Sequence, residues 1–153
     1  MATTDKHFSR IVIVQILYMF KLSNQDIKLL TDDKILGYIQ DLNNFYKDDV
    51  EGQDLSVKIR INFAKSIILY LAENIEIIDQ NIIAKLTNQQ SWERMHILIK
   101  AILRAAIAEK LMSDISKNVI IDEYMKIASS FFSHKEAAFV NATLDKIFLQ
   151  ISQ

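Results

Sequence analysis

The stretch "RIVIVQILYMFKLS", residues 10–23, decides the fold, because it reads in three ways. Ten of its fourteen residues are apolar, with Lys6, His7 and Arg10 at its start, so it resembles a secretory leader, a buried helix or an exposed working surface. As a leader it fails. Gln15 interrupts the apolar run, Lys21 ends it, and the following "KLSNQDIKLL" offers no small-residue cleavage site. The run is also too short to span a bilayer. A cytoplasmic protein is the expectation. On a wheel of 100° per residue, His7, Arg10, Gln15, Tyr18 and Lys21 fall in an arc of about 140°, which Ile11 and Val14 share. The other side, Phe8, Val12, Ile13, Ile16, Leu17, Met19 and Phe20, is apolar throughout. The pattern predicts a deeply packed helix over Asp5–Leu22 with one mixed face.

Working outward, helical periodicity continues along the chain. There is no proline, and Gly37 and Gly52 are the two glycines, too little punctuation for a β-rich domain. Val57, Ile59, Ile61 and Phe63 alternate like a strand, but Ile59, Phe63, Ile67, Leu71, Ile75, Ile78, Ile82 and Leu86 recur at steps of three and four. That longer pattern predicts a helical stripe broken near Asp79 and no strand over 57–63. A short helix is expected over about Asp33 to Tyr46, with Ile35, Ile39 and Leu42 inward, followed by a loop, "NNFYKDDVEGQD". Ser91 is read as the cap of a helix to about Met112, with Met95, Leu98, Ile102 and Ala105 inward. Further helices follow from Val119 to Phe131 and after "SHKE" (133–136), a capping box that leads into Val140, Leu144, Ile147 and Ile151. The fold class expected is all-α, one compact bundle of about seven helices, with residues 1–153 as a single domain.

Composition narrows function. Half of the 153 residues are hydrophobic and the net charge is −1, so no broad basic field attracts nucleic acid. Without cysteine there are no disulfides, thiolate metal sites or cysteine nucleophile. His7, His96 and His134 lack ligand-like spacing, and no glycine-rich phosphate loop is present. The expectation is a non-enzyme without cofactor or metal. Arg104, Glu109 and Asn141 lie near apolar residues and require partners if buried, which points to a structural network rather than catalysis. The mixed face of the first helix has the chemistry for RNA: cations for phosphates, an amide for a base edge, a phenol for stacking. An ordinary solvated face explains the same pattern. Phe139, flanked at helical spacing by Lys135, Glu136, Thr143 and Lys146, is a candidate contact. Phe131 and Phe132, near an apolar stripe, read as core.

Four blocks then carry a resemblance. "RIVIVQILYMFKLS", "ERMHILIKAILRAAIAE", "IIDEYMKIASSFF" and "FVNATLDKI" follow in the order seen in the NusB family of transcription antitermination factors, while residues 24–90 match it loosely. The resemblance implies an all-helical, non-enzymatic protein. It would bind boxA RNA together with NusE, a ribosomal protein of the small subunit, and act indirectly on the RNA polymerase elongation complex at ribosomal RNA operons. Carried over, the RNA contacts would be Arg10, Gln15 and Tyr18, with Lys21 beside them on the same face, and Phe131, Lys135 and Phe139 from the C-terminal third. Met95 and Ile99 would face NusE. This chain departs from the family in its N-terminus, where "MATTDKHFSR" has only Lys6 and Arg10, and at Ile99, where relatives often carry an acid. The resemblance therefore implies weak RNA binding alone and reliance on the partner. A homodimer is compatible with the sequence. Two alternatives stand beside this reading: a helical protein–protein adaptor without RNA binding, and a stand-alone relative of the RNA-binding domain of ribosomal RNA methyltransferases.

Overall fold

In a computed structural model, which describes residues 5–48, 59–86 and 89–151, the chain forms eight α-helices and one short 3-10 turn among those residues. The helices are α1 (Asp5–Leu22), α2 (Asp32–Asp48), α3 (Ile61–Glu73), α4 (Ile75–Ile83), α5 (Gln89–Arg94), α6 (Ile97–Met112), α7 (Lys117–Phe131) and α8 (His134–Ile151), with the 3-10 turn at Ile27–Leu29. The described residues contain no strand. Where alternation mimicked one, Ile59 and Arg60 are non-helical and α3 begins at Ile61; positions 57 and 58 lie outside the described residues, as does the end of the expected loop after Asp48.

The inward stripes are as the periodicity requires. Val12, Ile13, Ile16, Leu17 and Phe20 of α1 are buried with Ile67, Leu71, Ile75, Ile78 and Ile82 of α3 and α4. They join Val140, Leu144 and Ile147 of α8 in one hydrophobic cluster. At the centre is α6, which packs on α1, α3, α4, α7 and α8. It is buried nearly all round, as a helix covered on every side must be. Its alanines, Ala101, Ala105, Ala106 and Ala108, have little side chain to hold neighbours away.

Boundaries differ most from expectation at three points. Residues 43–48, expected at the start of a loop, form the end of α2. The long stripe breaks at Asn74, which ends α3 with its N–H donating to the Tyr70 and Leu71 carbonyls, rather than near Asp79. The expected helix from Ser91 to Met112 is two helices, α5 and α6, because the His96 ring accepts from the Leu98 backbone N–H at 3.0 Å and starts α6 anew. That split makes the count eight rather than seven. The start of α8 is held by Ser133, whose hydroxyl donates to the Glu136 carboxylate.

Candidate nucleic-acid interface

The mixed face of α1 divides along its length. Its first half is drawn inside. Arg10 is only 4% exposed: its Nε donates to Glu109 Oε1 at 2.8 Å and its Nη2 to Glu109 Oε2 at 2.7 Å. The Tyr124 hydroxyl donates to the same carboxylate at 2.9 Å, and Glu123 stands 3.5 Å from Arg10 Nη1. His7 Nδ1 lies 2.5 Å from Glu123 Oε2, which ties α1 to α7. Burial opposes the Arg10 charge, but the hydrogen bond and charge of Glu109, with Tyr124 and Glu123, outweigh it and raise its pKa. Burial, with the Glu109 carboxylate beside it, pushes the Tyr124 phenol well above its ordinary range. Ser9 is buried too; it accepts from the Arg60 backbone N–H at 2.8 Å and donates to the Asp5 carbonyl.

Arg10 was expected on an exposed face and is corrected to a core ion pair. A guanidinium held in two parallel bonds by a fully buried carboxylate has no free edge for a phosphate. The signal was present in the sequence: Val14 and Leu17, at i+4 and i+7 from Arg10, are buried, so Arg10 continues an inward row. Glu109, a lone acid in apolar α6, is its complement.

The second half of α1 stays at the surface. Gln15 and Tyr18 are half-buried and Lys21 is exposed, each three residues from the next and so on one side of the helix. The helix closes just beyond them. Asn24 takes φ 58°, a left-handed conformation that asparagine tolerates, and the Gln25 N–H reaches back to the Phe20 carbonyl.

The second group of candidates sits where α7 hands over to α8. Phe131 is 45% exposed and Phe139 38%, and Lys135 is exposed one turn before Phe139. Phe131 is thus corrected from core to surface. Its neighbour Phe132 is half-buried, edge-on to the His96 ring with centroids 5.1 Å apart. Asn141, which would need a partner if buried, is exposed.

The expected NusE-facing pair divides as well. Met95 is half-buried between α5 and α6, whereas Ile99 is 6% exposed and belongs to the core. It lies on the inward side of α6 with Ile102, Leu103 and Ala106, so its expected partner contact is corrected. Arg104 pairs in two bonds of 2.8 Å with Asp79 of α4, as a polar residue on an apolar helix requires. Among the described residues no group of three or more His, Asp or Glu side chains is arranged for a metal ion. No helix among them is long and apolar enough to cross a membrane.

Fold and surface together define an all-α domain: a central buried helix, a first helix pinned at one end by an ion pair, and aromatic and basic side chains at or partly at the surface on two helical edges. The model of the NusB family matches residues 7–148. The chain is 34% identical to the transcription antitermination protein NusB of Rickettsia bellii (strain OSU 85-389) over 145 residues, which covers 93% of this chain and 88% of that protein. It is likewise 34% identical over 143 residues to the protein of that name from Rickettsia rickettsii (strain Sheila Smith), covering 93% and 90%. Among solved structures, NusB of T. maritima superposes with a TM-score of 0.69 at 25% identity, covering 96% of this chain and 92% of that one. The chain belongs to the NusB family.

Proposed function

We propose that this chain is a transcription antitermination factor that binds boxA RNA together with NusE, as one helical domain with no catalytic step, in the cytoplasm. The observation that carries the reading is the outer half of α1. There Gln15, Tyr18 and Lys21 form an amide–phenol–ammonium row at helical spacing, on a helix whose other end is locked to the core. Such a row can pair a base edge, stack an unpaired base and neutralise a phosphate in succession. Phe131, Lys135 and Phe139 offer a second site of the same chemistry at the α7–α8 junction. Met95, at the foot of α6, is the remaining candidate for NusE. The effect on ribosomal RNA operons would be exerted through the elongation complex that this assembly joins.

The internal pairing of Arg10 removes one cation from a surface that already had few, on a chain of net charge −1. Few phosphates can then be neutralised, so affinity for RNA alone is low and its salt slope shallow, and a partner that enlarges the joint surface raises both. Filter binding of a boxA RNA to the purified chain, with and without NusE, tests this. The expected result is weak binding alone and tight, boxA-selective binding with NusE. Equal affinity in both conditions would contradict the reading. An absence of RNA binding beside firm NusE binding would favour the adaptor.

A further inference from the structure

A second basic feature is built around the chain's one tryptophan. Trp92 of α5 carries two cations on its ring: Lys100 Nζ at 4.5 Å from the centroid and the Arg104 guanidinium at 5.2 Å. The two are unequal. Arg104 is neutralised by its paired bonds to Asp79. Lys100 is half-buried and, among the described residues, its ammonium has no carboxylate or carbonyl within bonding distance. Burial, then the charges of Arg104 and of Lys21, lower its pKa, and Asp79 and Glu93 oppose this less strongly. A half-buried ammonium held over an aromatic face, with no acceptor of its own, is a preformed seat for an anion.

We propose that Lys100, seated on the Trp92 ring that it shares with the Asp79-paired Arg104, is a binding site for a backbone phosphate of single-stranded RNA. The proposal rests on the RNA-binding reading above and adds to it a phosphate contact on α6. The ligand is a phosphate rather than a base, because the two cations already occupy ring surface that a base would need. Lys100 contributes charge and position; Trp92 holds its ammonium in place. The site is indifferent to sequence, as phosphate contacts are.

Trp92 is also the reporter. Its emission can be followed while the chain with NusE is titrated with boxA RNA, a scrambled RNA of equal length and poly-glutamate, for the wild type, Lys100→Gln and Lys100→Arg. Both RNAs should perturb Trp92 in the wild type. Lys100→Gln should weaken both equally, with a salt slope shallower by about 0.7, the share of one phosphate contact on a single strand. Lys100→Arg should restore the slope. If boxA RNA binds selectively but Lys100→Gln changes neither affinity nor slope, the phosphate site is wrong and the boxA reading stands. If both RNAs bind alike and both depend on Lys100, the site stands and the boxA reading falls. A Trp92 response to poly-glutamate but to neither RNA would overturn the proposal in favour of an acidic protein segment. Silence towards all three would overturn it outright.

Discussion

The two halves of α1 contain similar residues and do opposite things. Around Arg10 the polar groups turn inward and are matched, by Glu109, Tyr124 and Arg60, so that they fix how α1 sits on α6, α7 and the start of α3. Around Tyr18 they reach the surface at least in part, Gln15 and Tyr18 half-buried and Lys21 exposed. The helical wheel treats Arg10 and Tyr18 alike, because it knows angle but not neighbours. What separates them is a carboxylate 99 positions along the chain. A cation on a helix is a binding residue or a structural one according to whether the fold delivers an acid to it.

Substitutions can break this contrast, and their effects on the fold should decline from the inner half to the outer. Val12→Asp should be the most damaging. Its site is fully buried in the apolar core, so an ionised carboxylate there would prevent stable folding. Circular dichroism showing a native, cooperative melt for this variant would refute the packing of α1. Arg10→Ala should follow. Leaving Glu109 charged and buried without its guanidinium typically costs about 3–5 kcal/mol, readable by urea denaturation. The paired Arg10→Met, Glu109→Met variant sharpens the point: with both charges gone, most of that loss should return. If single and double variants are equally unstable, the pair is not a matched unit.

A milder effect should appear with pH. The Tyr124 phenol keeps its proton in the folded chain well above the range where an exposed tyrosine loses it. Its contribution to stability is whole below a pH of about 10, the unfolded value, and is lost as pH rises from there towards the folded one, because the unfolded chain then binds fewer protons. Unfolding free energy measured from pH 8 upward should hold until near pH 10 and decline beyond it, and Tyr124→Phe should lessen that later slope. An unchanged slope in that variant would contradict the assignment. Smallest of all should be Lys28→Ala, which removes an exposed ion pair with Glu76 and should leave the denaturation midpoint where it was.

Legibility in the sequence followed the same division. The limits of α1, the stripes of α3, α4 and α8 and the start of α8 were readable because each is a local matter of spacing or capping. The break at Asn74 and the restart at His96 were less so. An uninterrupted apolar stripe hid the first, and a histidine ring took the capping part that Ser91 was expected to play in the second. The candidate surface was legible in residue type but not in exposure. Arg10 and Ile99 went inward and Phe131 outward, because pairing and coverage come from helices distant in sequence. Lys100 and Trp92 escaped notice for the same reason: a helix break lies between them, and the aromatic–cation stack exists only once α5 folds back on α6.

The most direct test of the divided helix is Tyr18→Ala, with boxA RNA titrated into the complex with NusE and the melting curve recorded on the same sample. Loss of a base-stacking aromatic costs about 1–3 kcal/mol of binding. The account predicts an RNA affinity lowered by that amount on a chain that melts close to the wild type, since the opposite side of α1 supplies its anchor. Unchanged RNA affinity, or a domain that no longer folds, would contradict it and make Tyr18 a packing residue like Arg10.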